Sequence, residues 1–173
     1  MKKIQKNRKG FTLVELVVVI AILAILAAIA IPVVNSIINT AARNSAISNA
    51  DSIELQIKNC QADIAARNTE RYANAVTAPN TISVAEVATK TGIKTAFQTV
   101  TYNNEQYIPV WDADDDKCYF IGATGSSVAG QRIDDSSITL TIGAGSGTTH
   151  TIIDLRDTTD PNAPSTSVMV TSL

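Results

Sequence analysis

Hydrophobic residues are concentrated in one uninterrupted stretch near the N-terminus. No charged residue occurs between Leu16 and Ala42, whereas polar and apolar residues mix from Arg43 onward. A helix over residues 11–34 would be about 36 Å long at ~1.5 Å per residue, enough to cross a hydrocarbon layer of about 30 Å. The pattern therefore predicts an apolar stem followed by a polar head.

Beyond the stem, apolar residues recur at helical spacing on one side only. Spacings of 4, 3, 4, 3 and 4 separate the members of this stripe: Ala46, Ala50, Ile53, Ile57, Cys60 and Ile64. Such spacing is typical of a helix with one buried face. Leu55 falls on the opposite, polar face, where a neighbouring molecule could cover it. We therefore expect an amphipathic helix over 35–68 that supports a globular head over 69–173.

The head has the signals of one short helix and several strands. Ser83 and Glu86 have the spacing of a capping box, which predicts a helix that ends at Gly92. Five runs have strand-like patterns: 107–111, 117–121, 138–142, 150–155 and 167–171. The last is expected to close the sheet, and the Gly-rich segment 143–147 is expected to be a turn. These elements predict an α+β fold, in which the long N-terminal helix packs on an antiparallel β-sheet.

The charges divide along the chain in the same way as the hydrophobicity. Five of the 14 basic residues lie in the first ten positions, with no acidic residue among them: Lys2, Lys3, Lys6, Arg8 and Lys9. A basic cluster before an apolar span stays in the cytoplasm, which places the head outside the membrane. Without those ten residues the net charge is −7. An acidic head disfavours nucleic acid as a partner, because such binding depends on neutralising phosphates.

Three interpretations of the N-terminal segment compete. A secretory signal has an apolar stretch of about 7–15 residues and a small-residue cleavage site, for which 28–30 is a candidate. The apolar stretch here is longer than that. A simple membrane anchor explains the length but not Glu15, because an acid beside an apolar span costs on the order of a few kcal/mol and normally marks a function.

The third interpretation explains these features together. Gly10, Phe11 and Glu15, in the order Gly-Phe-Thr-Leu-Val-Glu, lead directly into the uncharged helix. This pattern resembles the class III leader of type IV prepilins, and the resemblance covers residues 1–55. It implies that a prepilin peptidase removes the leader, residues 1–10, on the cytoplasmic side. The same enzyme would N-methylate the new terminus at Phe11.

The resemblance implies a structural protein that is not an enzyme and has no cofactor. The favoured function is the major subunit of a type IV pilus, which serves adhesion, aggregation or surface motility. The alternatives are a pseudopilin of a type II secretion system and a minor or competence pilin. Implied partners are other copies of the chain through their N-terminal helices, the prepilin peptidase, the inner-membrane assembly platform and the membrane itself. The subunit would cross the cytoplasmic membrane once before assembly and lie in an extracellular pilus afterwards.

Two residues of the stem have implied roles in assembly. In the family, the glutamate that matches Glu15 attracts the terminal amine of a neighbouring subunit. Two unit charges at about 4 Å interact by ~1 kcal/mol in water and ~4 kcal/mol at an effective dielectric of about 20. Pro32 removes a backbone donor and crowds the carbonyl of Ala28, which predicts a kink. The family often has glycine where this chain has Ala24, and alanine favours the helix.

The two cysteines, Cys60 and Cys118, permit a disulfide in an exported chain, and two buried thiols are the equal alternative. Many pilins of Gram-negative bacteria have two cysteines near the C-terminus. This chain has no cysteine beyond Cys118, which resembles the pattern in pilins of Gram-positive bacteria.

The acidic run 112–116 is the remaining candidate site. Asp112, Asp114 and Asp116 could offer oxygen ligands to calcium. However, Lys117 and Ala123 stand where an EF-hand requires glycine and glutamate, so a solvated hairpin tip is favoured. The single histidine, His150, is expected on the surface of a strand.

Overall fold

In the computed structural model the chain forms two compact units, divided between Ile38 and Asn39. The structure describes residues 10–67, 81–143, 150–157 and 159–171. The leader before Gly10, the predicted boundary at 68/69 and most of the predicted Gly-rich turn lie outside the described residues.

One long helix, α1, runs from Leu13 to Ala65 and stays helical through Pro32. Its buried residues are those of the predicted stripe with Gln61 added: Ala46, Ala50, Ile53, Ile57, Cys60, Gln61 and Ile64. Leu55 is 57% exposed, as its place on the polar face predicts. The one-sided second half of the helix is therefore confirmed, while the kink at Pro32 stays a prediction.

The head consists of short antiparallel strands and one short helix. In chain order these are β1 (Thr81–Ser83), α2 (Val84–Thr91), a 3-10 turn (Lys94–Phe97), β2 (Val100–Tyr102), β3 (Glu105–Asp112), β4 (Lys117–Gly122), β5 (Ile152–Asp154) and β6 (Met169–Thr171). β3 is the centre of a four-stranded sheet, with β4 on one side and β2 and β5 on the other. β1 and β6 form a separate two-stranded sheet. The predicted α+β fold with antiparallel sheets is confirmed.

The four-stranded sheet buries both faces, because successive side chains of a strand point to opposite sides. One face packs in the same core as the stripe of α1, through Tyr107, Trp111, Cys118 and Phe120. The other face forms a second apolar cluster, made of Ile108, Val110, Ile121 and Ile152. Leu140 packs against this second cluster.

Local sequence signals account for several ends of elements. The Ser83 hydroxyl accepts a hydrogen bond from the Glu86 backbone N–H at 3.2 Å, and Gly92 ends α2 with φ +76°. The predicted N-cap at Ser83 and the helix end at Gly92 are therefore confirmed, while the return contact from Glu86 that completes a capping box stays a prediction. Asn103 and Asn104, at φ 50° and 65°, make the tight turn between β2 and β3. Asparagine tolerates this left-handed conformation better than most residues.

Two strand predictions are wrong. Residues 138–142 form no strand, and only Thr139 makes a bridge, to Gln131. β6 does not close the four-stranded sheet but pairs with β1. The physical reason is that nearby segments of the chain already form hydrogen bonds with the outer strands of the four-stranded sheet, β4 and β5. Gly122 on β4 donates to the Gln131 carbonyl at 2.9 Å, and Ile152 on β5 accepts from Gly143 at 3.0 Å.

Shortening the buried Ile53 is expected to destabilise the head, whereas shortening Leu55 is not. Ile53 is 0% exposed, and replacing a buried isoleucine with alanine costs about 2–5 kcal/mol. The matched control is Leu55→Ala on the exposed face of the same helix, which should change stability by no more than about 0.5 kcal/mol. Denaturant unfolding of the unit from Asn39 onward measures both. Equal losses for the two variants would contradict the packing described above.

Candidate functional site

The predicted processing site is exposed at the start of the first unit. Gly10 and Phe11 precede α1, and Phe11 is 87% exposed. Among the described residues, which begin at Gly10 itself, a Cβ atom placed on Gly10 would meet no atom within 4 Å. The described fold therefore does not require glycine at this position. Glycine has no Cβ atom, so it allows another molecule to approach the backbone closely at this position.

Thr12 and Glu15 form a capping box at the first turn of α1. A Glu15 carboxylate oxygen, Oε2, accepts from the Thr12 backbone N–H at 2.9 Å and from the Thr12 hydroxyl at 2.8 Å. In return, the Thr12 hydroxyl accepts from the Glu15 backbone N–H at 3.2 Å. This box was not among the predicted elements, although the spacing Thr-x-x-Glu is its signal in the sequence.

The capping box determines where the charge of Glu15 lies. The carboxylate is at the helix N-terminus, where the helix dipole favours an anion. A carboxylate has about four lone-pair directions, and the two contacts from Thr12 leave acceptor capacity. Glu15 can therefore receive a further donor, such as an amine, without giving up its contacts with Thr12.

Every large hydrophobic residue from Phe11 to Ile38 is exposed, between 48% and 87%. These are Phe11, Leu13, Val14, Leu16, Val17, Val18, Val19, Ile20, Ile22, Leu23, Ile25, Leu26, Ile29, Ile31, Val33, Val34, Ile37 and Ile38. A continuous apolar surface of this size marks contact with a membrane or another protein. α1 is also long and apolar enough to cross a membrane.

The two cysteines are buried, and no disulfide joins them in the structure. The Cys118 backbone N–H donates to Glu54 Oε2 at 3.4 Å, so Cys118 on β4 lies next to the Glu54 side chain of α1. Burial, with the charges of Glu54 and Asp51, raises the pKa of the Cys118 thiol well above its ordinary value. This thiol therefore stays protonated and unreactive.

The acidic run forms the turn between β3 and β4, and Asp112 organises it. The Asp112 side chain is 1% exposed. Its Oδ1 accepts from the backbone N–H groups of Asp114 and Asp115 at 3.1 and 3.3 Å, and its Oδ2 lies 2.6 Å from His150 Nδ1. His150 is therefore an ion-pair partner, a role that sequence could not show across 38 positions.

The groups that lie close enough to hold a metal differ from the predicted trio. Ligand atoms of Asp112, Asp114 and His150 all lie within 4.8 Å of one another, and Asp116 is not among them. Calcium takes about 6–8 oxygen ligands. Two carboxylates and an imidazole nitrogen therefore provide only part of a calcium site, and the described geometry is that of a hydrogen-bonded turn.

The stability of the head is expected to fall as pH rises through the titration of His150. The hydrogen bond and charge of Asp112 raise the pKa of His150 above its ordinary value, with smaller contributions from Asp115 and Asp114. Because the pKa of His150 is higher in the folded state, protonation stabilises the head fully below about pH 6.5, the pKa of histidine in the unfolded chain. This stabilisation is lost as the pH rises through the pKa of the folded state. His150→Gln should flatten this part of the thermal unfolding profile measured against pH. Identical slopes for both proteins would contradict the ion pair.

Comparison with known proteins identifies the N-terminal segment. Residues 5–31 match the family described as the prokaryotic N-terminal methylation motif. The match contains Gly10, Phe11, Glu15 and most of the exposed apolar surface. No curated protein and no solved structure gives a significant match to the chain.

The matched motif supports a type IV pilin-like prepilin with a class III leader. Prepilins of this kind include pilins and pseudopilins, which are structural proteins. They are cleaved by prepilin peptidase and assembled from the membrane. The apolar helix fits membrane anchoring before assembly.

Proposed function

We propose that this chain is the major structural subunit of a type IV pilus, which serves adhesion, aggregation or surface motility. The observation that carries the proposal is the Glu15 carboxylate at the start of a helix whose apolar surface is exposed. Thr12 holds this carboxylate four residues after the proposed new terminus at Phe11. The basic leader, the exposed processing site and the apolar helix are the parts that a membrane-assembled filament subunit needs.

The first proposed step is processing on the cytoplasmic side. Cleavage between Gly10 and Phe11 removes five basic residues and leaves an amine on Phe11. The product, residues 11–173, carries a net charge of −7 and crosses the membrane once. Its domains are the filament-core helix 11–34, the amphipathic helix 35–68 and the head 69–173.

The second proposed step is docking of the processed subunit beneath the growing filament. The Phe11 amine of one subunit pairs with Glu15 of its neighbour, at about 4 kcal/mol if the effective dielectric is about 20. An unpaired charge beside an apolar span is unfavourable, so pairing relieves a cost that the lone subunit bears. The exposed apolar side chains then pack between copies as the helix leaves the lipid for the filament core.

Partners and location follow from these steps. The peptidase and the inner-membrane assembly platform act on the subunit in the cytoplasmic membrane, and other copies of the chain surround it in the extracellular pilus. Pro32 lies within the span, and the donor that it lacks makes this turn the expected site of a kink in the filament. We propose no enzymatic activity.

A pseudopilin of a type II secretion system is the second candidate. The head of such proteins often binds calcium, and the two carboxylates of Asp112 and Asp114 would provide part of a calcium site. Calcium at millimolar concentration that raises the unfolding temperature of the head would favour the pseudopilin. A minor pilin would have the same leader and helix. A competence pilin takes part in DNA uptake, and the acidic head disfavours binding to DNA phosphates.

Electron microscopy of cells that do or do not produce this protein tests the proposed function. We expect long surface filaments that an antibody against the head labels along their whole length. These filaments should be absent when the protein is absent. Unlabelled filaments that persist without the protein would contradict the proposal, and label confined to the tips would indicate a minor pilin.

A further inference from the structure

A groove of about 240 Å³ on the head is lined by residues from helices and strands that are distant in the sequence. Its apolar side chains include Ile57 of α1, Trp111 of β3, Ile153 of β5 and Val170 of β6. All of them belong to the unit that begins at Asn39. Pockets for drug-sized ligands have volumes of about 300–1,000 Å³, so this groove has the size for a smaller group, such as one side chain.

One buried polar atom in this groove has no partner. Gln61 lines the groove and is 8% exposed. Within the described residues, its side-chain oxygen, Oε1, accepts no hydrogen bond. A buried acceptor without a donor is unfavourable, and most buried polar atoms in folded proteins have a partner. The groove therefore favours an occupant that brings a hydrogen-bond donor to Gln61.

The charge in the groove has one sign. Asp116 is partly buried and is the one charged residue among the described residues that line the groove. None of the ion pairs found in the described ranges involves Asp116. A carboxylate and an amide oxygen both accept hydrogen bonds and attract positive charge, so an anionic occupant is disfavoured. The occupant that complements both groups is a cation with several N–H donors.

The apolar lining of the groove suits a flat cation on an apolar stem. Trp111 is 7% exposed, and cations are attracted to the face of a tryptophan ring. Met169 also lines the groove, and its thioether side chain adapts to methylene groups. The guanidinium of arginine is planar, stacks on aromatic rings and presents several donors in one fork. The ammonium of lysine is a compact and more strongly hydrated charge, so its burial in such a groove is less favourable.

The lining also indicates the form in which the guanidinium arrives. A free arginine carries an α-carboxylate, and no basic side chain among the described lining residues could pair with it. The Asp116 carboxylate would repel this second carboxylate. An arginine residue within a peptide has the same side chain without the free carboxylate. The groove is therefore better suited to an arginine of a protein partner.

We propose that this groove binds an arginine side chain of a partner protein. The guanidinium donates to Gln61 Oε1 and pairs with Asp116, and the stem packs against Trp111. The net charge of −7 on residues 11–173 attracts such a basic partner over a longer range. The inference goes beyond the proposed function and does not depend on it, because every residue of the groove belongs to the unit that begins at Asn39.

Tryptophan fluorescence of the full-length chain in a nonionic detergent tests this site. Trp111 is the only tryptophan in the sequence, so its emission reports directly on the groove. Titration with N-acetyl-arginine methylamide, which has no free carboxylate, should give a saturable change in emission. The matching citrulline compound should bind roughly tenfold more weakly, because citrulline has nearly the same shape but no positive charge.

Two variants assign the contacts of the guanidinium. Gln61→Leu removes the unpartnered acceptor, so the head should keep or raise its unfolding temperature while the arginine compound binds roughly tenfold more weakly. Asp116→Asn removes the charge and should weaken binding several-fold. Asparagine tolerates the φ of 57° at this position, so the turn should be unchanged. The matched control is Asp63→Asn, which removes an acidic charge from α1 outside the groove and should leave binding unchanged.

Several results would overturn the site. Absence of a saturable change with the arginine compound, or equal binding of the citrulline compound, would show that the groove does not recognise a guanidinium. Unchanged binding in both Gln61→Leu and Asp116→Asn would show that the compound binds elsewhere. Equal binding of the matching lysine compound would contradict the preference for arginine, and equal binding of free arginine would contradict a partner protein as its source. None of these results bears on the proposed function, which electron microscopy tests separately.

Discussion

Glu15→Ala is expected to leave processing intact and to abolish filament assembly. The variant loses both the capping interaction with Thr12 and the charge proposed to pair with the neighbouring Phe11 amine. A loss of about 4 kcal/mol lowers the docking constant roughly a thousandfold. Filament counts by electron microscopy, together with the fraction of cleaved subunit in the membrane, measure the two effects separately.

Glu15→Gln is the matched control that separates the charge from the helix cap. Its side-chain carbonyl can still accept from the Thr12 N–H and hydroxyl, so the start of α1 should be unchanged. Glu15→Gln is expected to assemble almost as poorly as Glu15→Ala, because the neutral amide cannot form an ion pair with the Phe11 amine. Normal assembly of the Gln variant would show that Glu15 serves only as a cap.

Gly10→Val is expected to block processing and thereby abolish filaments. Valine adds a branched side chain next to the bond that the peptidase would cut, where an extended backbone must enter a narrow cleft. The open space around Gly10 means that the fold itself tolerates the change, so the precursor should accumulate intact in the membrane. Immunoblots that resolve precursor from mature subunit measure the loss.

The control for this variant adds bulk on the other side of the proposed cleavage site. Val14→Leu enlarges an exposed side chain on the first turn of α1 and should leave processing near its normal level. Mature subunit in normal amounts from Gly10→Val would contradict cleavage at this bond. Equal failure of both variants would indicate a general effect of bulk near the membrane surface.

The sequence predicted those features of the fold that depend on neighbouring residues. The stripe of α1 was predicted residue by residue, because burial along one helix follows a fixed angular period. The ends of α2 at Ser83 and Gly92 follow from hydrogen bonds within one turn. The hairpin of β3 and β4 joins strands across a short turn, and its pairing is confirmed.

Features that depend on distant residues could not be predicted in the same way. The alternation of 138–142 is that of a strand, but the tight turns around Gly130 allow it only a single bridge. The pairing of β6 with β1 joins residues almost ninety positions apart, and nothing local in either segment specifies it.

The features of the candidate site also differ in whether they depend on neighbouring or on distant residues. Gly10, Phe11 and Glu15 form a contiguous pattern, which sequence alone could recognise. The capping box of Thr12 was within reach of the same reasoning, because its signal is the local spacing Thr-x-x-Glu. The ion pair of Asp112 with His150 was not, because tertiary packing brings β3 and the start of β5 together.

Mass spectrometry of the mature protein from its host tests the central claim most directly. Removal of the first ten residues followed by methylation predicts an N-terminal peptide that begins at Phe11 and carries one additional methyl group on its amine. A mature chain that begins at Met1, at a residue after 28–30, or at an unmethylated terminus would contradict the account.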